Sequence, residues 1–323
     1  KTALFKYVYC DTSLRTMQRR TLFAVAAVMV ALLLICGCTG TTTDPTPAEK
    51  QQLRIATTTS LDDTKLLNHL SSIFEKQYNA EVLVISAGTG KALEYGQRGD
   101  VDVLMVHDRA REDVFLADGY GINRRVFAYN FFILIGPEAD PAGIKGMEPT
   151  KAFATIREKG MTDKNVVFVS RGDASGTHAK EQALWKGAGF NYSTDIQGSG
   201  DWYLEAGKGM GETLTMANEK EAYTLSDIGT YLAYKGNLDL VTLVDEGDQL
   251  LNVYCAMQIN PAKYPDINST IAKDWVNFMI SDDVQKEIAS FGVDKYGQPL
   301  FYAAQKDWEK IGVTEAEVTD PIA

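Results

Sequence analysis

Cysteine and histidine are scarce in this sequence, and positive charge is in deficit. Four cysteines and three histidines occur in 323 residues. His69 and His107 lack any H-x-x-x-H or cysteine partner, so neither a zinc centre nor a disulfide framework fits the pattern. Lys and Arg total 32 against 43 Asp and Glu, a net charge of −11, which disfavours nucleic acid or an anionic lipid surface as partner. No apolar run reaches the ~20 residues that cross a bilayer. The remainder is ordinary globular composition, 45% hydrophobic and 23% charged, enough for two domains of average size.

The most apolar stretch, Thr21 to Ile35, follows Arg19-Arg20 and ends in Cys36-Gly37-Cys38. That is the layout of a secretion signal, with small residues before Cys38 where a lipoprotein signal peptidase cuts. Cys38 is therefore expected to carry a lipid, with residues 1–37 as the signal region and Met17 as the natural start. An uncleaved membrane anchor is the other reading. Both put the globular part outside the cytoplasm, in a periplasm or at the cell surface. Loss of residues 1–37 takes the net charge from −11 to −15, so any anion must be bound by local geometry. It also leaves Cys255 as the one cysteine without a lipid, in the apolar stretch Val253 to Met257, where a buried role is expected. Residues 38–52 carry two prolines and no apolar pattern, a flexible tether before a fold beginning at Leu53.

From Leu53 strands and helices are expected to alternate: strand 53–57, helix 62–78, strand 80–86, helix 90–98 and strand 101–106, the pattern of a parallel sheet. Asp108 is placed to cap a short helix through Ala117, and a long strand is expected at 124–135. Beyond Gly136-Pro137 come a helix near 150–159, a strand at 165–169, helices at 175–187 and near 202–218, and strands at 222–225 and 240–243. Strand 250–259 and helices 268–280 and 283–291 complete the series. The two long strands are where the chain would leave one lobe and return. The expected class is therefore α/β, with residues 53–135 plus 250–310 as lobe I, 136–249 as lobe II and 311–323 as a tail. Each lobe is expected to hold a mixed, mostly parallel sheet flanked by helices, with the ligand in the cleft. A single doubly wound domain is the competing arrangement.

Three strand-to-helix turns carry the chemistry. Thr57-Thr58-Thr59-Ser60 sits where a strand ends and a helix begins; its hydroxyls add neutral donors to the free N–H groups of a helix start. Ser86-Ala87-Gly88-Thr89-Gly90-Lys91 occupies the same kind of position, with glycines that let backbone approach a ligand. It is not a nucleotide loop, because Ala92 follows Gly90-Lys91 where that loop requires Ser or Thr. The third, Ser170-Arg171-Gly172-Asp173-Ala174-Ser175-Gly176-Thr177-His178, adds a permanently charged fork, Arg171, to hydroxyls at Ser175 and Thr177. Plain capping by Ser60, Asp62 or Ser175 and an Arg171–Asp173 loop ion pair account for part of this pattern but not for the glycines. A hydrolase built on Ser175, His178 and Asp173 is a second class of reading, set against the absence of a G-x-S-x-G elbow. A cell-surface interaction protein without an ion site is a third.

These three motifs, together with Ala222-Tyr223-Thr224-Leu225-Ser226-Asp227, resemble the tungstate-binding proteins of ABC transporters, the TupA-like family, over about Leu53 to Ala304. The resemblance implies a periplasmic-binding-protein fold of the second type. It also implies a protein that catalyses nothing, uses no cofactor, and acts as a monomer delivering its oxyanion to a permease driven by an ATPase subunit. By position it implies anion contacts from Thr58, Thr59, Ser60, Thr89, Arg171, Ser175 and Thr177, with tungsten held only as the oxyanion. Ile228 departs from the family's pattern, which carries Arg there. Tungstate and molybdate are not separable on the sequence, and the Arg-x-Asp-x-Ser-Gly-Thr stretch also resembles phosphate-binding proteins, for which Asp173 would serve as acceptor.

Overall fold

The structure is a computed structural model and describes residues 50–323. The expected signal region, Cys38 and most of the tether lie outside the described residues. Gln51 and Gln52, assigned to the tether on composition, instead begin strand β1 (Gln51–Thr58) by pairing with Ala80 and Glu81. Two polar residues on an edge-proximal ladder need no apolar pattern to be held.

β1 leads into a short helix α1 (Thr59–Asp63) and then α2 (Leu66–Tyr78). The sequence read these as one helix. Thr64 breaks it: its hydroxyl donates to Leu61 O and accepts from Leu66 N, and Lys65 adopts φ 68°. Next come β2 (Ala80–Ala87), α3 (Thr89–Arg98), β3 (Val103–Val106) and α4 (Arg109–Ala117), the last capped by Asp108 through Arg111 N at 3.2 Å as expected. β4 (Gly121–Gly136) is the long strand. It is followed by α5 (Pro149–Gly160), β5 (Phe168–Ser170) and α6 (Gly176–Gly187).

The helix expected near 202–218 is helical only from Met210, and its first part holds a short strand. Tyr203 to Glu205 form β6 in parallel with β5, the Tyr203 ring stacks on Phe168 at 5.8 Å, and α7 (Met210–Glu219) starts only after Gly207 and Gly209. Aromatic packing on a pleated surface outweighed the helical spacing. Then follow β7 (Thr224–Asp227), α8 (Ile228–Tyr234), which the sequence reading lacked, β8 (Val241–Val244), β9 (Leu251–Ile259), α9 (Ser269–Met279), α10 (Asp282–Ser290) and β10 (Tyr302–Ala303).

The main sheet runs β10-β4-β9-β3-β1-β2. β1 pairs in parallel with β2 and β3, and β5 in parallel with β6, while β4 pairs antiparallel, so the sheet is mixed, as expected. The two long strands oppose each other, β4 antiparallel to β9, and β9 is antiparallel to β3. β4 serves two groups of partners. Gly121 to Phe131 pair with β9, while Phe132 to Gly136 pair with β7 and β8. One aromatic cluster, Phe153, Phe168, Trp185 and Tyr203, fills the side of β5 and α6; another core joins Leu53, Ile55 and Met105 to Val169, Met210 and Leu214. Residues 311–323 are packed down, with Val318 buried and Ile322 N–H donating to Asn277.

Cys255 is buried on β9, its thiol pushed well above the usual range by burial, so it is a core residue as expected. Beside it Glu112 is buried, accepting Asp108 N–H at 2.9 Å with Arg124 at 3.4 Å, and burial lifts its carboxyl from the ordinary 4.5 to about 7. The folded chain thus holds a proton that the unfolded chain releases between those values. This group's contribution favours the fold at low pH and is lost as pH rises through about 7. Glu112→Gln, which keeps the acceptor for Asp108 N–H, is expected to flatten the loss of unfolding free energy between pH 5 and 8 by about 1–3 kcal/mol, measured by urea titration at each pH. An unchanged slope would contradict the assignment.

Candidate functional site

All three sequence motifs arrive at one place. Thr58 ends β1 and caps α1, accepting Leu61 N–H at 3.3 Å. Gly88 caps α3, and Ser175 caps α6 by accepting His178 N–H at 3.1 Å. Thr58, Ser60, Thr89, Arg171, Ser175 and Thr177 are all buried. Thr57 faces away, its hydroxyl donating to Met105 O at 3.0 Å, so it serves the sheet. Thr59 accepts from Arg171 Nη2 at 3.2 Å, across 112 residues of sequence.

The seam between the motifs is tight. Gly90 N–H and Arg111 Nη1 both donate to the Ala174 carbonyl, at 2.9 and 2.6 Å. A Cβ on Gly90 would lie 2.9 Å from Ala174 Cβ, and one on Gly176 would lie 2.8 Å from His107 Cε1 and 3.3 Å from Thr89 Oγ1. Here the glycines are needed for close approach, not for an unusual dihedral.

The loop before α6 contains both of the structural features weighed against a binding role: Arg171 Nη2 pairs with Asp173 Oδ2 at 2.5 Å, and Ser175 acts as a cap. They do not exhaust its polar groups. Arg171 Nε, Thr89 Oγ1 and Thr177 Oγ1 are buried and have no hydrogen-bond partner among the described residues. Asp173 is already committed, since its other oxygen accepts Ser175 N–H at 3.1 Å. His178 turns its ring to the Asp173 carbonyl, Tyr192 and Gln182 rather than to the Ser175 hydroxyl, so the residues of the hydrolase reading form no nucleophile–base pair. No group of His, Cys, Asp and Glu among the described residues is arranged to hold a metal ion.

The sequence reading missed His107. It is buried at the end of β3, 3.2 Å from Ser60 Oγ through Nε2 and 2.9 Å from Asn252 Oδ1 through Nδ1. Burial, reinforced by the charges of Arg171 and Lys180, lowers its pKa to about 4, so the ring is neutral near pH 7. Asn252 Nδ2 donates to Asn130 and to Tyr254, which assigns its Oδ1 as acceptor and places the imidazole proton on Nδ1. Nε2 then accepts from the Ser60 hydroxyl. Nothing in the spacing of a lone histidine could have announced this role. Asp227 was missed as well: it caps α8 through Thr230, whose hydroxyl lies 3.2 Å from Ser60 O. Ile228 opens that helix and packs against the core containing Tyr231, an apolar setting.

The PBP superfamily domain matches residues 42–283. The tungstate-binding protein TupA of Peptoclostridium acidaminophilum is 40% identical over 287 residues, covering 88% of this chain and 98% of its own. The chain belongs to the TupA family of the PBP superfamily. Two solved TupA-family structures match its fold. The tungstate ABC transporter protein of Geobacter sulfurreducens is 45% identical, with a TM-score of 0.66 over 74% of this chain and 98% of its own. The tungstate-binding protein TupA of Desulfovibrio alaskensis is 41% identical, with a TM-score of 0.64 over 78% and 98%. TupA proteins are binding proteins, and this one is not an enzyme.

The neutral His107 is open to direct test. Its imidazole 15N shifts are expected to report an Nδ1–H tautomer that does not titrate between pH 5 and 8. A midpoint near the ordinary 6.5 would overturn both the burial argument and the direction of the Ser60 hydrogen bond.

Proposed function

We propose that this protein captures tungstate outside the cytoplasm and delivers it to the permease and ATPase subunit of an ABC importer. One observation carries the reading: among the described residues three buried donors lack partners, Thr89 Oγ1 and Thr177 Oγ1 at the starts of α3 and α6 and Arg171 Nε in the loop that leads into α6. Unpaired buried polar groups are costly, and a seam that collects donors of this kind suits a ligand made of acceptors. Tungstate and molybdate are fully deprotonated tetrahedral dianions at neutral pH and offer only acceptors. Hydrogenphosphate brings a proton and would need an acceptor, for which Asp173, bonded once at each oxygen by Arg171 and Ser175 N–H, keeps lone pairs. The choice of tungstate over molybdate rests on the ligand named for the TupA relatives.

In this reading Arg171, Thr89 and Thr177 grip the oxyanion, while Thr58, Thr59, Ser60 and Ser175 complete the wall. Ser175 accepts a backbone N–H as a cap and retains a hydroxyl proton to give, whereas Thr58, also a cap, lies 3.3 Å from Ser60 Oγ and donates to it, because Ser60 gives its own proton to His107. Residues 53–135 plus 250–310 act as one lobe and 136–249 as the other, closing along the Gly90–Ala174 seam. The signal at 1–37 is removed, Cys38 is lipidated, and a monomer sits tethered to the outer face of the cytoplasmic membrane. No described helix is long and apolar enough to cross a membrane; in this reading the lipid on Cys38 supplies the anchor.

Calorimetric titration of the 39–323 fragment with tungstate, molybdate, phosphate and sulfate is the test. Tight one-to-one tungstate binding is expected, weakened at least about 100-fold, or about 3 kcal/mol, by Arg171→Ala. Thr89→Val and Thr177→Val should each cost roughly tenfold in affinity while leaving the ligand-free melting temperature unchanged or raised, because each removes a buried hydroxyl that has no partner. Preferred binding of phosphate would move Asp173 to the centre of the site, and binding of no anion would sink the reading. For the anchor, Cys38→Ser is expected to move the protein from the membrane fraction to the soluble fraction; retention in the membrane would favour an uncleaved segment.

A further inference from the structure

We propose that Glu181 is a positioning residue for the anion site, acting through the hydroxyl of Ser170 to set the loop that aims Arg171. The proposal rests on the reading of that site as an oxyanion chamber.

Glu181 lies on α6 below the Ser175 cap and is buried, with no Lys or Arg among the described residues paired to it. Its carboxylate instead collects three neutral donors. Oε2 accepts the Ser170 hydroxyl at 2.6 Å; Oε1 accepts the Tyr203 hydroxyl at 2.6 Å and Trp185 Nε1 at 3.0 Å. Because Ser170 gives its proton to Glu181, its oxygen is left with lone pairs, and one of these accepts Gly172 N–H at 3.0 Å. Ser170 and Gly172 flank Arg171, so one hydroxyl pins the backbone on both sides of the guanidinium's residue.

The other edge of the loop is equally confined. Ala206 N–H donates to Ser170 O at 2.9 Å and Gly207 N–H to Arg171 O at 2.8 Å. Gly172 sits at φ +58°, and a Cβ there would come within 2.5 Å of Glu205 Cβ. On the α6 side His178 holds the Asp173 carbonyl further along the loop, and the tether that reaches the residues on either side of Arg171 is the Ser170 hydroxyl, which ends on Glu181.

An apolar side chain of similar volume would fill this space more cheaply than a buried carboxylate, whose proton affinity burial raises. What such a filler could not do is orient the Ser170 hydroxyl. Reversal of that hydroxyl would turn a proton toward Gly172 N–H and break the tether. Arg171 offers a planar fork, useful only at one orientation, so small displacements of its backbone are read directly as lost affinity.

The test uses the full mature chain and reads tungstate affinity by calorimetry in wild type, Glu181→Gln, Ser170→Ala and Arg171→Lys, and in the double variants that add Arg171→Lys. Glu181→Gln and Ser170→Ala are each expected to weaken tungstate about tenfold or more. That loss should shrink to less than about threefold when Lys, which has no fork, replaces Arg171, because residues acting through one another are non-additive. A role confined to general stability would give the same loss in both backgrounds, and that outcome overturns the proposal. Unchanged affinity in both single variants does so too. Ser170→Ala covers the case in which Glu181→Gln fails to fold. The Arg171 15Nε resonance of ligand-free protein, expected to move in Glu181→Gln, separates the two ideas. If it moves while wild type binds no oxyanion, the positioning role stands and the ligand assignment falls; if it stays in place, the positioning role falls.

Discussion

A single guanidinium, 2% exposed and paired with one nearby carboxylate, sets the terms for the rest of this molecule. Arg171 cannot shed its charge, so the surroundings must be arranged around it. Asp173 neutralises it from within the same loop, Thr59 meets it from the start of α1, and its charge helps keep His107 neutral. The Ser60–His107–Asn252–Asn130 chain then follows, each member donating to the next or accepting from it in a fixed sense. Two buried acids, Glu181 and Asp227, are satisfied by hydroxyl, indole and backbone donors instead of cations. Adding further cations around Arg171 would have raised the electrostatic cost of its burial.

Much of the site could be read from the sequence because it is local. Each of the three motifs sits where a strand stops and a helix starts, and that position is set by a few consecutive residues whose propensities agree. The caps at Asp108 and Ser175 were legible for the same reason. What escaped was non-local. His107 has no signature because its partners, Ser60 and Asn252, stand 47 and 145 residues away. Which of Thr57, Thr58 and Thr59 faces inward depends on the register of β1 against β3, a property of pairing that the triplet itself does not encode.

The errors in the fold have similar causes. A helical spacing near residue 202 yielded to Tyr203 stacking on Phe168, a contact between residues far apart in sequence. The break at Lys65 came from a hydroxyl competing for backbone groups, a choice that periodicity does not register. The expected mixed sheet is present, and within it the two long strands, β4 and β9, lie side by side in opposite directions, an orientation that the alternation of strands and helices does not specify.

Thr89 and Thr177 give the molecule something that neither affinity nor shape alone would supply. A shut seam over hydroxyls with no partner is an arrangement the chain has reason to avoid unless something accepts from them. If the chain carries an oxyanion as proposed, closure and cargo would report on each other. A membrane component that recognised only the shut outline would then learn whether the passenger was aboard without ever touching it, and idle docking by empty carriers would be suppressed by the carriers' own internal chemistry.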